Sequence, residues 1–288
     1  MTHRMLVLVF ALAIVAAGCG SRRDGDAIVA NSGDLGHVHD IVVEDDVVYL
    51  AAHSGLFRVE GPTRAVVVGE FRHDLMSMSS GPDGLVASGH PDLRFNQWRV
   101  EGQPAHLGFI SSSDLGGTWD KVALLGEVDF HSLTSRPDGG FYGADSSGGI
   151  LASADGVTWE NRSRLSALDL SASPKMADSV VAIDSASGRL LVSTDGALTW
   201  DELVDAPLLR RVQWLDDSVV GIAVGGTIYS AVDPHQQWDV IGQVAAEVAA
   251  FTTRNDQWWI VTSSAAVLHS DDGENFRVIY EPPDRPGL

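Results

Sequence analysis

The chain has 288 residues, carries 39 acidic against 19 basic side chains for a net charge of −20, and contains one cysteine. Acidity on this scale excludes a nucleic-acid partner, which would need a basic footprint. A single thiol excludes any disulfide within the chain, so the fold must be held by its core. The first element is the apolar run Met5–Ala17, which follows Arg4. Thirteen residues are too few to span a bilayer comfortably but suit the hydrophobic region of a secretory signal. Residues 1–18 therefore read as a leader, with Cys19 directly after it.

Ala16-Ala17-Gly18-Cys19 resembles a bacterial lipobox, although leucine is more usual at its first position. The resemblance implies that Cys19 becomes the acylated first residue of a mature protein held at the extracytoplasmic face of the cell membrane. Loss of the leader removes one arginine and no acid, leaving a net charge near −21. Such a chain does not dock electrostatically on anionic lipid, so the acyl chain is the expected membrane contact. Residues 19–34 are polar and read as a tether, and the proline-rich 281–288 as a disordered tail.

Between tether and tail, residues 35–280 carry a repeated turn. It reads S-S-D-L-G-G-T-W from Ser112 to Trp119, S-A-D-G-V-T-W from Ser153 to Trp159 and S-T-D-G-A-L-T-W from Ser193 to Trp200. Worn copies run from Ser230 to Trp238 and from Ser270 to Phe276. The leading serines are 41, 40, 37 and 40 residues apart, a period that signals a propeller or a similar array of short strands. The pattern resembles the Asp-box, or BNR repeat, of sialidase-like propellers. The resemblance implies a structural role for Asp114, Trp119, Asp155, Trp159, Asp195 and Trp200: the carboxylate accepts hydrogen bonds from its own turn and the indole packs on the blade.

Six units of about 40 residues fit: 37–69, 74–124 with an insertion at 91–108, 127–164, 168–204, 210–243 and 247–280. Valine-rich alternation supports strands throughout, and no long segment has a helical period. The expected fold is all-β, a six-bladed β-propeller with Asp-box turns.

The first strand of a blade is innermost, so its polar residues should face the channel. In register, these strands begin His37-Val38-His39, Asp74-Leu75-Met76, Asp129-Phe130-His131, Asp169-Leu170-Ser171, Arg211-Val212-Gln213 and Glu247-Val248-Ala249. The second strands end in phase at His53, His90, Asp145, Asp184, Val224 and Ser263. Antiparallel pairing puts both sets at one mouth, opposite the Asp-box turns. The candidate ligand-binding residues are thus His37, His39, His53, Asp74, Met76, His90, Asp129, His131, Asp145, Asp169 and Arg211. Imidazole and thioether together suit copper, so His39, Met76 and His131 form a candidate metal trio. Polar residues also line water-filled channels generally and satisfy one another there. His106, in the insertion, either folds over this mouth or caps a blade with Phe95, Trp98 and Leu107; His73, His235 and His269 read as surface or turn residues.

The stretches G-H-V-H-D-I (36–41), A-H-S-G-L-F-R-V (52–59), A-S-G-H-P (87–91) and D-F-H-S-L (129–133) resemble bacterial secreted or lipid-anchored propellers commonly labelled glycosyl hydrolase or exo-alpha-sialidase. Sialidase chemistry needs an arginine triad and a tyrosine nucleophile, whereas the expected mouth offers Arg211 alone and no aligned tyrosine. The leading expectation is a propeller that binds a small ligand or a metal ion such as copper. The alternatives are a glycoside hydrolase using Asp74, Asp129 or Asp169 as paired carboxylates, and a scaffold that binds another extracytoplasmic protein.

Overall fold

The computed structural model describes residues 29–30 and 35–283, so the leader, Cys19, most of the tether and the end of the tail lie outside the described residues. It is a ring of six antiparallel sheets, each built from four strands consecutive in sequence. The innermost strands are Val38–Glu44, Asp74–Gly81, Phe130–Ser135, Ala167–Ala172, Arg211–Trp214 and Val248–Arg254. The short strand Val29–Ala30 adds a fifth, outer strand to blade one by pairing with Arg64–Val67. The six expected units each correspond to one blade. Among the described residues no helix is long and apolar enough to cross a membrane.

Strand alternation explains how the ring coheres. Ile41, Val43, Val48 and Leu50 point to one side of blade one and pack with Trp259, Val261 and Tyr280 of blade six. Val42, Tyr49 and Ala51 point to the other side and pack with Leu75, Leu85 and Ile110 of blade two. The same two-sided burial recurs at every junction, giving six cores, each between adjoining blades. Such strands are apolar on both faces, as the near-continuous runs Val47–Ala52 and Val180–Ile183 show.

The repeated turns close the third and fourth strands of their blades. In blade three the Ser153 hydroxyl accepts from Gly156 N–H at 2.8 Å and donates to Asp155 Oδ1, which accepts from Thr158 N–H at 2.8 Å. The same bonds recur at Ser112 and Asp114, Ser193 and Asp195, and Ser270 and Asp272. The hydroxyl and backbone of Thr199 help hold the Asp195 carboxyl down to about 2. The tryptophan that follows fills the gap between blades: Trp159 lies 4.8–5.1 Å, ring to ring, from Phe109 and Phe130 and donates Nε1–H to Gly156 O. Trp159→Ala should therefore cost about 3 kcal/mol, measured by urea unfolding.

Two histidines depart from expectation. His73 and His269 are buried, at 1% and 7% exposure, and His235 is exposed. His73 stacks on Phe71, meets Trp98 edge-on, and its Nδ1 accepts from Asp92 N–H at 2.9 Å. The insertion, with its 3-10 turn Asn96–Trp98, supplies this aromatic cover for blade two. Burial pushes the His73 imidazole down to about 4. Its neutral form is favoured in the fold, so its contribution is intact above pH 6.5 and is lost as pH falls from 6.5 toward 4. Over that window the wild type should lose about 3 kcal/mol more stability than His73→Gln does, by urea unfolding at stepped pH.

Candidate functional site

The inner strands share a feature that alternation alone does not show. In five of the six blades the first strand carries a β-bulge near its start, at His39, Met76, His131, Leu168 and Ala249. These positions are therefore structurally equivalent, and His39, Met76 and His131 keep their expected alignment. Bulges sit at barrel rims and re-aim side chains. The residue after the bulge forms a ring inside the channel: Asp40, Ser77, Ser132, Asp169 and Ala250, with Arg211 at the matching place in blade five.

That ring straps neighbouring blades together. Asp40 accepts from Met78 N–H at 2.9 Å, Ser132 from Leu170 N–H at 3.0 Å and Asp169 from Val212 N–H at 2.9 Å. Asp169 thus falls in register with Ser132, three residues beyond Asp129, and its oxygens also accept from the Ser132 hydroxyl and Leu170 N–H. Burial pushes the Asp40 carboxyl up to about 7 and raises that of Asp169. Both line a channel cavity of about 460 Å³, whose wall also includes His39, His131, Arg211 and Arg254; Met78 lines it on blade two. Arg211 donates Nε–H to Ala249 O of blade six at 2.7 Å.

The mouth itself is made by blades one to three. His39 is the second residue of its inner strand, Asp74 opens the next, Asp129 immediately precedes the third, and His90 ends the second strand of blade two. His53 follows the second strand of blade one, held there by its N–H bond to His37 O at 2.9 Å. His37 is exposed, its ring 6.5 Å from that of His39. Asp145 is in register with Phe130, one place short of His53 and His90; its carboxylate accepts from Asp129 N–H at 3.2 Å and bonds Ser147 in the same hairpin. Ser146 instead takes the place equivalent to His53, through its N–H bond to Asp129 O.

Within the mouth the side chains form one connected network. His53 Nδ1 lies 2.9 Å from Asp74 Oδ2, and His39 Nε2 lies 3.4 Å from Asp74 Oδ1 without hydrogen-bond alignment. His90 spans both acids, Nδ1 3.4 Å from Asp74 and Nε2 3.3 Å from Asp129. His131 Nε2 lies 2.9 Å from Asp129 Oδ2. Burial opposes ionisation of Asp74, yet contacts with His39, His90 and His53 hold its carboxyl below the usual range. The same holds for Asp129, where burial is outweighed by His131 and His90. Hydrogen bonds to Asp129 and Asp74 in turn raise His90 to about 10. The His90 ring is the electrostatic link between the two carboxylates.

Two sets of donor atoms converge closely enough to hold a cation: His39, His53 and Asp74, and His90, His106 and Asp129, each within 4.8 Å. His131 stands beside the second set on Asp129, and Met76 is half-buried on blade two. His106 comes from the insertion, 5.9 Å ring to ring from His90, while Trp98 and Leu107 of the same segment are buried in blade two. The insertion therefore both caps its blade and reaches the mouth. Sequence register could not reach His106 because no other blade has that segment.

No protein-family profile and no curated protein sequence matches the chain. Solved structures resemble it in fold. A gluconolactonase from Xanthomonas campestris aligns over 88% of this chain and 90% of its own at TM-score 0.62 and 12% identity. YCF48 bound to a D1 peptide aligns over 87% and 83% at TM-score 0.53 and 15% identity. A GH74 xyloglucanase from Xanthomonas campestris aligns over 84% of this chain at TM-score 0.53 and 19% identity, and the alignment spans only 38% of that enzyme. At such identities the likeness establishes architecture alone, and the protein is a six-bladed β-propeller.

Proposed function

We propose that the chain is a lipid-anchored, extracytoplasmic propeller that binds a divalent metal ion at the mouth formed by blades one to three. The anchor is supported by Ala16-Ala17-Gly18-Cys19 after the apolar run Met5–Ala17. The metal rests on one observation. Of nine buried side-chain polar atoms without a hydrogen-bond partner among the described residues, four, His39 Nε2, Asp74 Oδ1, His106 Nδ1 and Asp129 Oδ1, lie on residues of the two donor sets. Leaving such an atom unsatisfied costs roughly 1–3 kcal/mol, and a cation is a partner that imidazole nitrogen and carboxylate oxygen can share. Two imidazoles and a carboxylate suit zinc or copper(II) and leave a coordination position open for water or a small ligand.

Glycoside hydrolysis by Asp74, Asp129 or Asp169 is the weaker reading. Imidazole contacts hold the Asp74 and Asp129 carboxyls below the usual range, away from the protonated form a general acid needs, and Asp169, raised by burial, has both oxygens engaged by Ser132, Leu170 and Val212. The test is zinc titration of the full chain, purified without a histidine tag. Binding of at least one equivalent at micromolar free metal is expected, and loss of it in the double variant Asp74→Asn, Asp129→Asn. Retention of zinc by that variant, or failure of the wild type to bind zinc or copper(II), overturns the metal reading.

A further inference from the structure

The two donor sets are separate, and their separation carries a consequence that rests on the metal reading above. The first is contributed by blade one and the start of blade two: His39, His53 and Asp74. The second comes from the end of a blade-two strand, its insertion and blade three: His90, His106 and Asp129. Each has its own pair of buried atoms without a hydrogen-bond partner, His39 Nε2 with Asp74 Oδ1, 3.4 Å apart, and His106 Nδ1 with Asp129 Oδ1. Asp129 is 3% exposed, so its free oxygen is aimed into the protein rather than at bulk water. One ion cannot satisfy both pairs while His90 stands between the two carboxylates.

We propose that the mouth holds two divalent cations, one on His39, His53 and Asp74 and one on His90, His106 and Asp129, joined through the His90 ring. The ring is already oriented for this, with Nε2 toward Asp129 and Nδ1 toward Asp74, and the second ion takes the place of the Nε2 proton, which is released to solvent. A metal-bound imidazole commonly gives its other N–H to a carboxylate, which fixes its tautomer and raises its basicity. Asp74 plays that part for His90 while serving as a ligand of the neighbouring ion. The two sites are therefore coupled through one carboxylate, and the ion on the second set strengthens as the Asp74–His90 contact is kept. Each ion has three protein ligands, so both present open positions to whatever enters the mouth.

Zinc equivalents per chain, measured by elemental analysis after equilibrium dialysis against zinc chloride, decide the matter. The full-length wild type should bind two. His39→Ala and His106→Ala should each bind one, and the double variant none. A variant His106→Gln, which keeps bulk and polarity in the insertion, should repeat the loss of one equivalent, and cooperative thermal melts establish that each variant folds. One equivalent in the wild type overturns the two-ion proposal and leaves the single-ion reading standing. No equivalent overturns both. Two equivalents untouched by either substitution place the zinc elsewhere and overturn the proposal.

Discussion

Asp129→Asn should weaken zinc on His90, His106 and Asp129 by at least about a hundredfold, with the fold intact. The substitution keeps the volume of a residue that is 3% exposed and changes only its charge and hydrogen-bonding sense. Asp129 Oδ1 lacks a hydrogen-bond partner and Oδ2 is shared by His131 and His90, so one oxygen is available to a cation while the other positions two imidazoles. An amide loses the anionic ligand and offers its N–H₂ where an acceptor is needed. Loss of a residue that merely orients a ligand commonly costs 10–100-fold in metal affinity, and Asp129 both ligates and orients. At zinc a hundredfold above the wild-type Kd, binding to this set stabilises the fold by about 2.7 kcal/mol; a hundredfold weaker Kd leaves about 0.4 kcal/mol. Urea unfolding with and without zinc reads that difference. Asp184→Asn is the matched control, because its carboxylate bonds Ser187 within its own hairpin in blade four. Equal zinc stabilisation in Asp129→Asn and wild type would remove Asp129 from the metal site.

The architecture was legible because the repeated Ser-Asp turn marks one fixed point in each of blades two to six, between the third and fourth strands. Counting back from that point placed His39, His53, Asp74, His90, Asp129 and His131 near one another, and all six belong to the network at the mouth. What the count could not see was the bulge. Strict alternation assigns one residue to each step, whereas the bulge at His39, His131 and Leu168 inserts one more. Asp169 matches Asp129 in sequence through the shared Asp-apolar pairs Asp129-Phe130 and Asp169-Leu170, although it pairs as Ser132 does, three residues deeper in the channel. Asp40, its true counterpart in blade one, went unremarked beside His39. The recurring Asp or Ser two places after an apolar residue, as in Val38-His39-Asp40, Phe130-His131-Ser132 and Ala167-Leu168-Asp169, is the signal that would have found the ring. His106 had no such signal. Its segment occurs once in the chain, and only the packing of Trp98 and Leu107 into blade two carries it to the mouth.

Gly89→Ala should cost more than about 3 kcal/mol and disorganise the mouth together with the fold. Gly89 has φ +141, a conformation that side-chain-bearing residues rarely adopt. A Cβ there would stand 2.0 Å from Asp74 O and 2.7 Å from Met76 N, both main-chain atoms of the paired strand at its bulge. Neither strand can yield freely. Gly89 O accepts from Leu107 N–H at 2.8 Å, which ties it to the insertion, and Ser88 Oγ accepts from Phe130 N–H of blade three. Relief must come from pushing the Asp74 end of the inner strand away from His90, the next residue after Gly89. That movement breaks the 3.4 Å contact from which the two donor sets take their common orientation. Backbone strain of order 1–3 kcal/mol adds to the steric term. Gly102→Ala separates the two contributions, since Gly102 has φ +77 but nothing within 4 Å of its would-be Cβ; it should lose only about 1 kcal/mol and keep its zinc. Urea unfolding and zinc titration of both variants test the argument, and a Gly89→Ala protein within about 1 kcal/mol of wild type, still binding zinc normally, would refute it.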